Sequence, residues 1–254
     1  MAPSDGTTDA AEVYDALAPI YDAAGGDRPF ALLAAERLER RLGSRRDEAL
    51  SILDLGCGTG TLLLALAAAH PRWRLCGVDA SAGMLAVARA KPDQARVLWT
   101  RARLPAPLPF GEPFDVVGAF YDTLNHLPDP DALAAAFRTV ASVLRPGGLL
   151  VFDLNNVLGF ERLWRHRVAF DLRGHHIDTR LRYDASTQTG EAAIDLTDGD
   201  GRERRLVLRQ RCFSDTEVAG ALLAAGLKVE SAAPFSPIDD GSPSKTWFVA
   251  TKEQ

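Results

Sequence analysis

The stretch Ile52-Leu53-Asp54-Leu55-Gly56-Cys57-Gly58-Thr59-Gly60 decides the fold. Ser51 to Leu55 is a short apolar run and Thr61 to His70 is helical in composition, so the segment reads as strand, glycine turn and helix. Glycines at such a turn let the backbone pass close to a ligand in conformations that a Cβ obstructs. The spacing is GxGxG, whereas dinucleotide folds prefer GxGxxG with a pyrophosphate on the helix N-terminus. Asp54, just before the glycines, would repel a pyrophosphate and welcome a ligand carrying an amino group. Asp79 ends the next strand, about 20 residues beyond the turn, where a carboxylate accepts hydrogen bonds from ribose hydroxyls. On the turn alone, a nicotinamide-dependent oxidoreductase stays open, as does a purely structural tight turn.

Working outward, further strands are expected at Trp73 to Val78, Val97 to Trp99, Phe114 to Phe120, Leu149 to Leu154, Leu227 to Ala232 and Thr246 to Thr251. Helices are expected at Phe30 to Leu42, Met84 to Ala90, Asp131 to Leu144 and Asp215 to Ala225. Arg145-Pro146-Gly147-Gly148 should stop the third of these. Near-continuous apolar strands alternating with helices predict an α/β fold with a doubly wound, mostly parallel sheet of seven strands. After Asn156 the rhythm changes. Val168 to Leu172, Ile177 to Tyr183, Ala192 to Leu196 and Arg205 to Cys212 are strand-like and separated by turn-rich stretches, which predicts an antiparallel insertion. The expected organisation is a core of residues 1–158 and 214–254 interrupted by a cap of residues 159–213, with the first ten residues a mobile tail.

The chain of 254 residues has a formal charge of −5, which argues against a nucleic-acid partner, because phosphate binding needs a clustered excess of Lys and Arg. The N-terminus MAPSDGTTDAAEVYD lacks a basic region and apolar run, and no later apolar run is long enough to span a bilayer, so a cytoplasmic protein without membrane partners is expected. Cys57, Cys76 and Cys212 form no CxxC pattern and indicate neither a disulfide framework nor a zinc site. Six arginines between Arg162 and Arg182 could serve an anionic acceptor, but the interspersed Glu161, Asp171 and Asp178 favour a solvated strand face.

In order along the chain, LDLGCGTG, VDASAGMLAVAR, FDVV, LNHLPD and LRPGGLLVFDLN resemble the successive motifs of class I S-adenosylmethionine-dependent methyltransferases. The resemblance implies a Rossmann-like core, S-adenosyl-L-methionine as cofactor and S-adenosyl-L-homocysteine as product. It places Gly56, Gly58 and Gly60 along the methionine part, Asp79 on the ribose, and Ala80 and Met84 at the adenine, with Asp54 and Cys57 as further candidate cofactor contacts. The family often has an acidic adenine reader after the third strand. Here Trp99-Thr100-Arg101-Ala102-Arg103 stands there, which leaves adenine to Thr100, Arg101 or backbone groups.

Val13 to Asp22 resembles the family's N-terminal lid, which puts Tyr14 and Tyr21 over the cofactor. Tyr21, with an apolar ring and polar tip, suits the sulfonium or the acceptor. Phe120, Tyr121 and Asp122 end the fourth strand and are candidate contacts. His126 lies on the ligand-binding edge and is the candidate base, with a structural histidine as the alternative. The layout is similar to small-molecule N-methyltransferases of the amino-sugar and glycine type. It implies methyl transfer to nitrogen or oxygen of a small-molecule acceptor, possible dimerisation, or, alternatively, a cofactor-binding regulatory protein without transfer activity.

Overall fold

The computed structural model describes residues 6–25, 27–237 and 241–253. Seven helices alternate with eleven strands among them: α1 (Ala10–Leu17), α2 (Asp27–Leu42), β1 (Ser51–Leu55), α3 (Thr61–Ala69), β2 (Arg74–Asp79), α4 (Ala82–Ala90), β3 (Val97–Arg101), β4 (Phe114–Ala119), α5 (Pro130–Val143), β5 (Leu144–Asn155) and α6 (Val157–Leu163). There follow β6 (Arg167–Leu172), β7 (His175–Asp184), β8 (Thr189–Thr197), β9 (Glu203–Arg211), α7 (Asp215–Ala224), β10 (Leu227–Phe235) and β11 (Lys245–Lys252). The main sheet has the order β10-β11-β5-β4-β1-β2-β3, parallel except where β11 pairs with its two neighbours.

Each central strand is apolar on both faces because both faces are covered. Leu53 and Leu55 pack with Val117, Phe137, Phe152 and Leu222 on the α5–α7 side. Ile52 packs with Val116, Val151, Leu38, Leu63 and Leu85 on the α2–α3–α4 side. The helix starts are set locally. Asp129 caps α5 by accepting from the Ala132 N–H at 2.8 Å, with Pro130 in the first turn, where a missing N–H costs nothing. Ser214 and Glu217 form a reciprocal capping box on α7. The chain reverses direction across the sheet between β1 and β4, which opens a crevice at their carboxyl ends.

The second sheet, in the order β6-β7-β8-β9, is wholly antiparallel, and residues alternate between partly exposed and buried along β8. Its inner face packs Ile177, Ile194, Leu206 and Leu208 against Val13 of α1 and Phe160 of α6. Its arginines largely pair across strands. Arg167 donates twice to Asp178 at 2.9 and 2.6 Å, Arg180 meets Asp195, and Arg209 meets Glu191.

Two local expectations are corrected, and one element is added. The Thr8 N–H donates to the Val207 carbonyl at 2.9 Å and its Oγ1 accepts from the Val207 N–H at 3.0 Å, so residues just before α1 are tied to β9; Met1 to Asp5 lie outside the described residues. Helix α5 ends at Val143, before Arg145, as expected, but β5 begins at Leu144 rather than Leu149, and Arg145 to Gly148 bulge within it opposite Asp115, whose carboxylate Arg145 pairs. Helix α6 was not anticipated, because seven residues carry too little periodicity to read. No helix among the described residues is long and apolar enough to cross a membrane.

Candidate active site

The glycine turn is held onto β2 by its own backbone. The N–H groups of Gly56 and Cys57 both donate to the Val78 carbonyl, at 2.7 and 3.0 Å, and Gly58 N–H donates to Asp79 Oδ2 at 2.8 Å. Gly56, Gly58 and Gly60 have φ of 68°, 54° and 79°, a region that side chains disfavour. Their surroundings differ. A Cβ on Gly60 would enter the Trp99 ring, whereas one on Gly58 would stand in open space on the wall of a cavity. Gly60→Ala is therefore expected to cost stability, about 1–3 kcal/mol by chemical denaturation. Gly58→Ala should cost only the backbone strain, about 1 kcal/mol, and lose ligand affinity instead.

That cavity holds about 390 Å³ and sits at the switch point. Gly56, Gly58 and Asp79 form its floor, with Ala80, Met84, Ala102 and Leu104 along an apolar side. Tyr14 and Tyr21 cover it, and Tyr121, Thr123 and His126 close the far end. Asp79 is largely withdrawn from water. Burial raises its carboxyl above the ordinary range, while the N–H groups of Ser81 and Gly58 oppose that shift.

The lid is fastened by acids spaced along it. Asp9 caps α1 and pairs with Arg103 at 2.6 Å. Asp15 accepts from Ser81 Oγ at 2.5 Å and from the Gly83 N–H at 2.7 Å, at the start of α4. Asp22 accepts from Thr59 Oγ1 at 2.5 Å and pairs with Lys91 at 2.7 Å. The anchors tie the segment to Thr59 in the turn before α3, to the start and end of α4 and, through Arg103, to the cavity wall.

At the far end the Tyr14 hydroxyl lies 3.0 Å from His126 Nε2, with the rings edge to face, and Tyr21 packs edge-on against Tyr14. Burial pushes the Tyr14 phenol well above its usual range and lowers His126, against the opposing pull of Asp122. Behind His126 runs a buried polar chain. Gln210 Nε2 donates to Asp122 Oδ2 at 3.0 Å, Asp122 meets Lys245, and Lys245 Nζ reaches Asp153 Oδ2 at 2.8 Å. Burial would raise Asp122, but the Lys245 ammonium and the Gln210 amide hold it below the ordinary range. Burial would lower Lys245, and the two carboxylates raise it instead.

Of the residues singled out in the sequence, Tyr14, Tyr21, Gly56, Gly58, Asp79, Ala80, Met84, Tyr121 and His126 meet on the cavity wall. The others lie off it. Asp54 is buried in β1, leaving the strand on the face opposite Leu53 and Leu55. Cys57 and Gly60 pack beneath the turn, against Gly77 and Trp99. Thr100 and Arg101 stop short of the cavity, whose wall is taken up by Ala102 to Pro105, and Arg101 Nε donates to the Ala80 carbonyl. Phe120 stacks on Trp247. Asp122 belongs to the buried chain. Gln210, Asp153, Asn155 and Lys245 were missed.

The donor set fits a cationic adenosyl ligand: an approachable glycine backbone, a carboxylate at a strand end, an apolar slot, and two tyrosine rings. The fold is the Rossmann-like fold of class I S-adenosylmethionine-dependent methyltransferases, and the cavity fits their cofactor. Residues 52–148 match the family described as a methyltransferase domain. The malonyl-[acyl-carrier protein] O-methyltransferase of Hahella chejuensis is 31% identical over 193 residues, 72% of this chain and 61% of that protein. Among solved structures, the CcbJ methyltransferase from Streptomyces caelestis superposes with TM-score 0.75 at 24% identity, covering 98% of this chain and 100% of that one. The sugar N-methyltransferase KedS8 from Streptoalloteichus superposes with TM-score 0.71 at 25% identity, covering 100% and 97%. The chain spans about three-fifths of the length of the curated relatives it matches first.

Proposed function

We propose that the chain transfers a methyl group from S-adenosylmethionine to a nitrogen, and in a wider reading an oxygen, of a small-molecule acceptor in a biosynthetic reaction. The observation that carries this reading is the half-buried Tyr14–His126 pair on the cavity wall. The likeness in fold to a sugar N-methyltransferase supports nitrogen.

When bound, S-adenosylmethionine supplies an electrophilic methyl group, and Gly58, Asp79, Ala80 and Met84 would hold it. The chain's own residues then have few tasks. The lid excludes water and fixes the acceptor's approach, which supplies much of the acceleration. The faces of Tyr14 and Tyr21 favour positive charge beside them. An amine must arrive without a proton on its lone pair, so a neutral imidazole that accepts a proton at Nε2, directly or through Tyr14, serves it.

His126 sits below the ordinary imidazole value of about 6.5, so it is neutral at pH 7 and charges only in more acid solution. The acid limb of kcat/KM should therefore fall below pH 6.5. Over the same window the unfolded chain takes the proton first, so stability also declines as pH falls. The test is release of S-adenosylhomocysteine across a panel of primary and secondary amines, amino sugars and hydroxyl compounds. Turnover on an amine is expected, and His126→Gln should lower kcat by about 100-fold. Ligand binding with no release on any acceptor would favour a regulatory subunit. Unchanged turnover in both His126→Gln and Tyr21→Phe would remove their roles.

A further inference from the structure

His126 is met at the same ring nitrogen that faces Tyr14 by a residue of the antiparallel sheet. Gln210 of β9 is 4% exposed, and its amide touches three side chains. Its Oε1 accepts from Asn155 Nδ2 at 3.0 Å, its Nε2 donates to Asp122 Oδ2 at 3.0 Å, and the same Nε2 lies 3.4 Å from His126 Nε2. These contacts fix which end of the amide is which. A carboxylate paired with Lys245 is ionised and can only accept, so the Gln210 atom facing it is the NH2 group. That NH2 group is the one that also faces His126.

We infer that Gln210 is a positioning residue that holds His126 as the Nδ1–H tautomer, with the Nε2 lone pair directed at Gln210 and Tyr14. An N–H donor cannot satisfy a second N–H, so Nε2 accepts and the ring proton goes to Nδ1, a buried atom for which no hydrogen-bond partner is found among the described residues. Tyr14 must then donate its hydroxyl hydrogen to Nε2, which leaves the phenol oxygen lone pairs for the cavity. A proton leaving the acceptor passes to Tyr14 oxygen while the Tyr14 hydrogen moves to Nε2. The phenol is regenerated, and the ring becomes imidazolium.

The groups facing the ring from each packed element are Tyr14 of α1, Tyr21 after it, Asp122 on its own loop, and Gln210 with the Arg209 main chain on β9. Lys245 of β11 and Asp153 of β5 stand beyond Asp122. Lys245 is shared by two carboxylates, which keeps Asp122 an acceptor and therefore keeps the Gln210 amide turned as it is.

This inference deepens the proposed role of His126 and rests on it, but it is tested without an acceptor. The full chain, labelled with 15N-histidine, is studied by multiple-bond proton–nitrogen spectra. His126 is assigned among the five histidines by its loss in His126→Gln. The wild type is expected to show neutral Nδ1–H at pH 7. Gln210→Glu, which replaces the donor by a carboxylate, should move the His126 titration up by about one pH unit or more. Gln210→Met, which removes the donor, should let the Nε2–H form appear. An Nε2–H ring in the wild type, or an unmoved titration in folded Gln210→Glu, would overturn the assignment. Should neither variant fold, the wild-type tautomer alone decides. An Nδ1–H ring in a chain that releases no S-adenosylhomocysteine would sink the proposed function and leave this inference standing.

Discussion

Lys245→Met is expected to lower the stability of the folded chain by about 3–5 kcal/mol, the usual consequence of removing one partner from a buried ion pair. Lys245 is 7% exposed and its ammonium is the cation between Asp122 and Asp153. Its loss leaves two carboxylates facing each other with little water. The damage spreads to backbone. Asp153 Oδ1 accepts the Tyr121 N–H at 2.8 Å, and Tyr121 and Asp122 both hold positive φ, 59° and 54°. Such conformations persist in non-glycine residues only when the surroundings over-determine them. The Asp122 carboxyl is depressed in the folded chain, so its contribution is present above the unfolded value of about 3.9 and is lost as pH falls through the folded value. The deficit of Lys245→Met should therefore be largest near neutral pH and shrink in acid. Denaturant titration at several pH values checks this. The triple variant with Asp122→Asn and Asp153→Asn should recover part of the loss, whereas a deficit below about 1 kcal/mol would show that the network is not what holds the turn.

Asp79→Ala is expected to weaken S-adenosylhomocysteine binding by about 10- to 100-fold. A carboxylate hydrogen bond is worth about 1.5–3 kcal/mol, and each 1.4 kcal/mol is tenfold. Asp79 also holds the turn through Gly58 N–H and orders Ser81, which caps α4 by accepting from the Met84 N–H. Part of the loss will come from a less organised turn. Calorimetric titration separates the effects when paired with thermal unfolding of the free chain. An affinity within threefold of wild type would remove Asp79 from the site.

The parts of the fold legible in the sequence were those whose signal is local. Continuous apolar strands marked β1, β4 and β5, the glycine turn marked a loop that lines the cavity, and alternation marked the antiparallel sheet. The lid acids and the buried chain were not legible, because their meaning depends on partners far along the chain. His126 and Gln210 are brought together by the docking of one sheet on another, and Lys245 by the pairing of β11 with β5. One of these did leave a trace. Gln210 falls in phase with Leu206 and Leu208, which are buried, and a polar residue on the buried phase of a strand calls for a partner. Lys245, at the start of a strand buried throughout its first six residues, offers no alternation to read and looks like an ordinary solvated charge. Asp54 stands beside the glycines in sequence, but it leaves β1 on the face opposite Leu53 and Leu55 and is not among the residues that line the cavity.

The measurement that tests the account most directly is calorimetric titration of the intact chain with S-adenosylhomocysteine, run beside Asp79→Ala and Gly58→Ala. The cavity between the glycine turn, Asp79 and the lid predicts saturable one-site binding to the wild type, strongly weakened in both folded variants. Absence of saturable binding at millimolar ligand, or equal binding by all three chains, would contradict it.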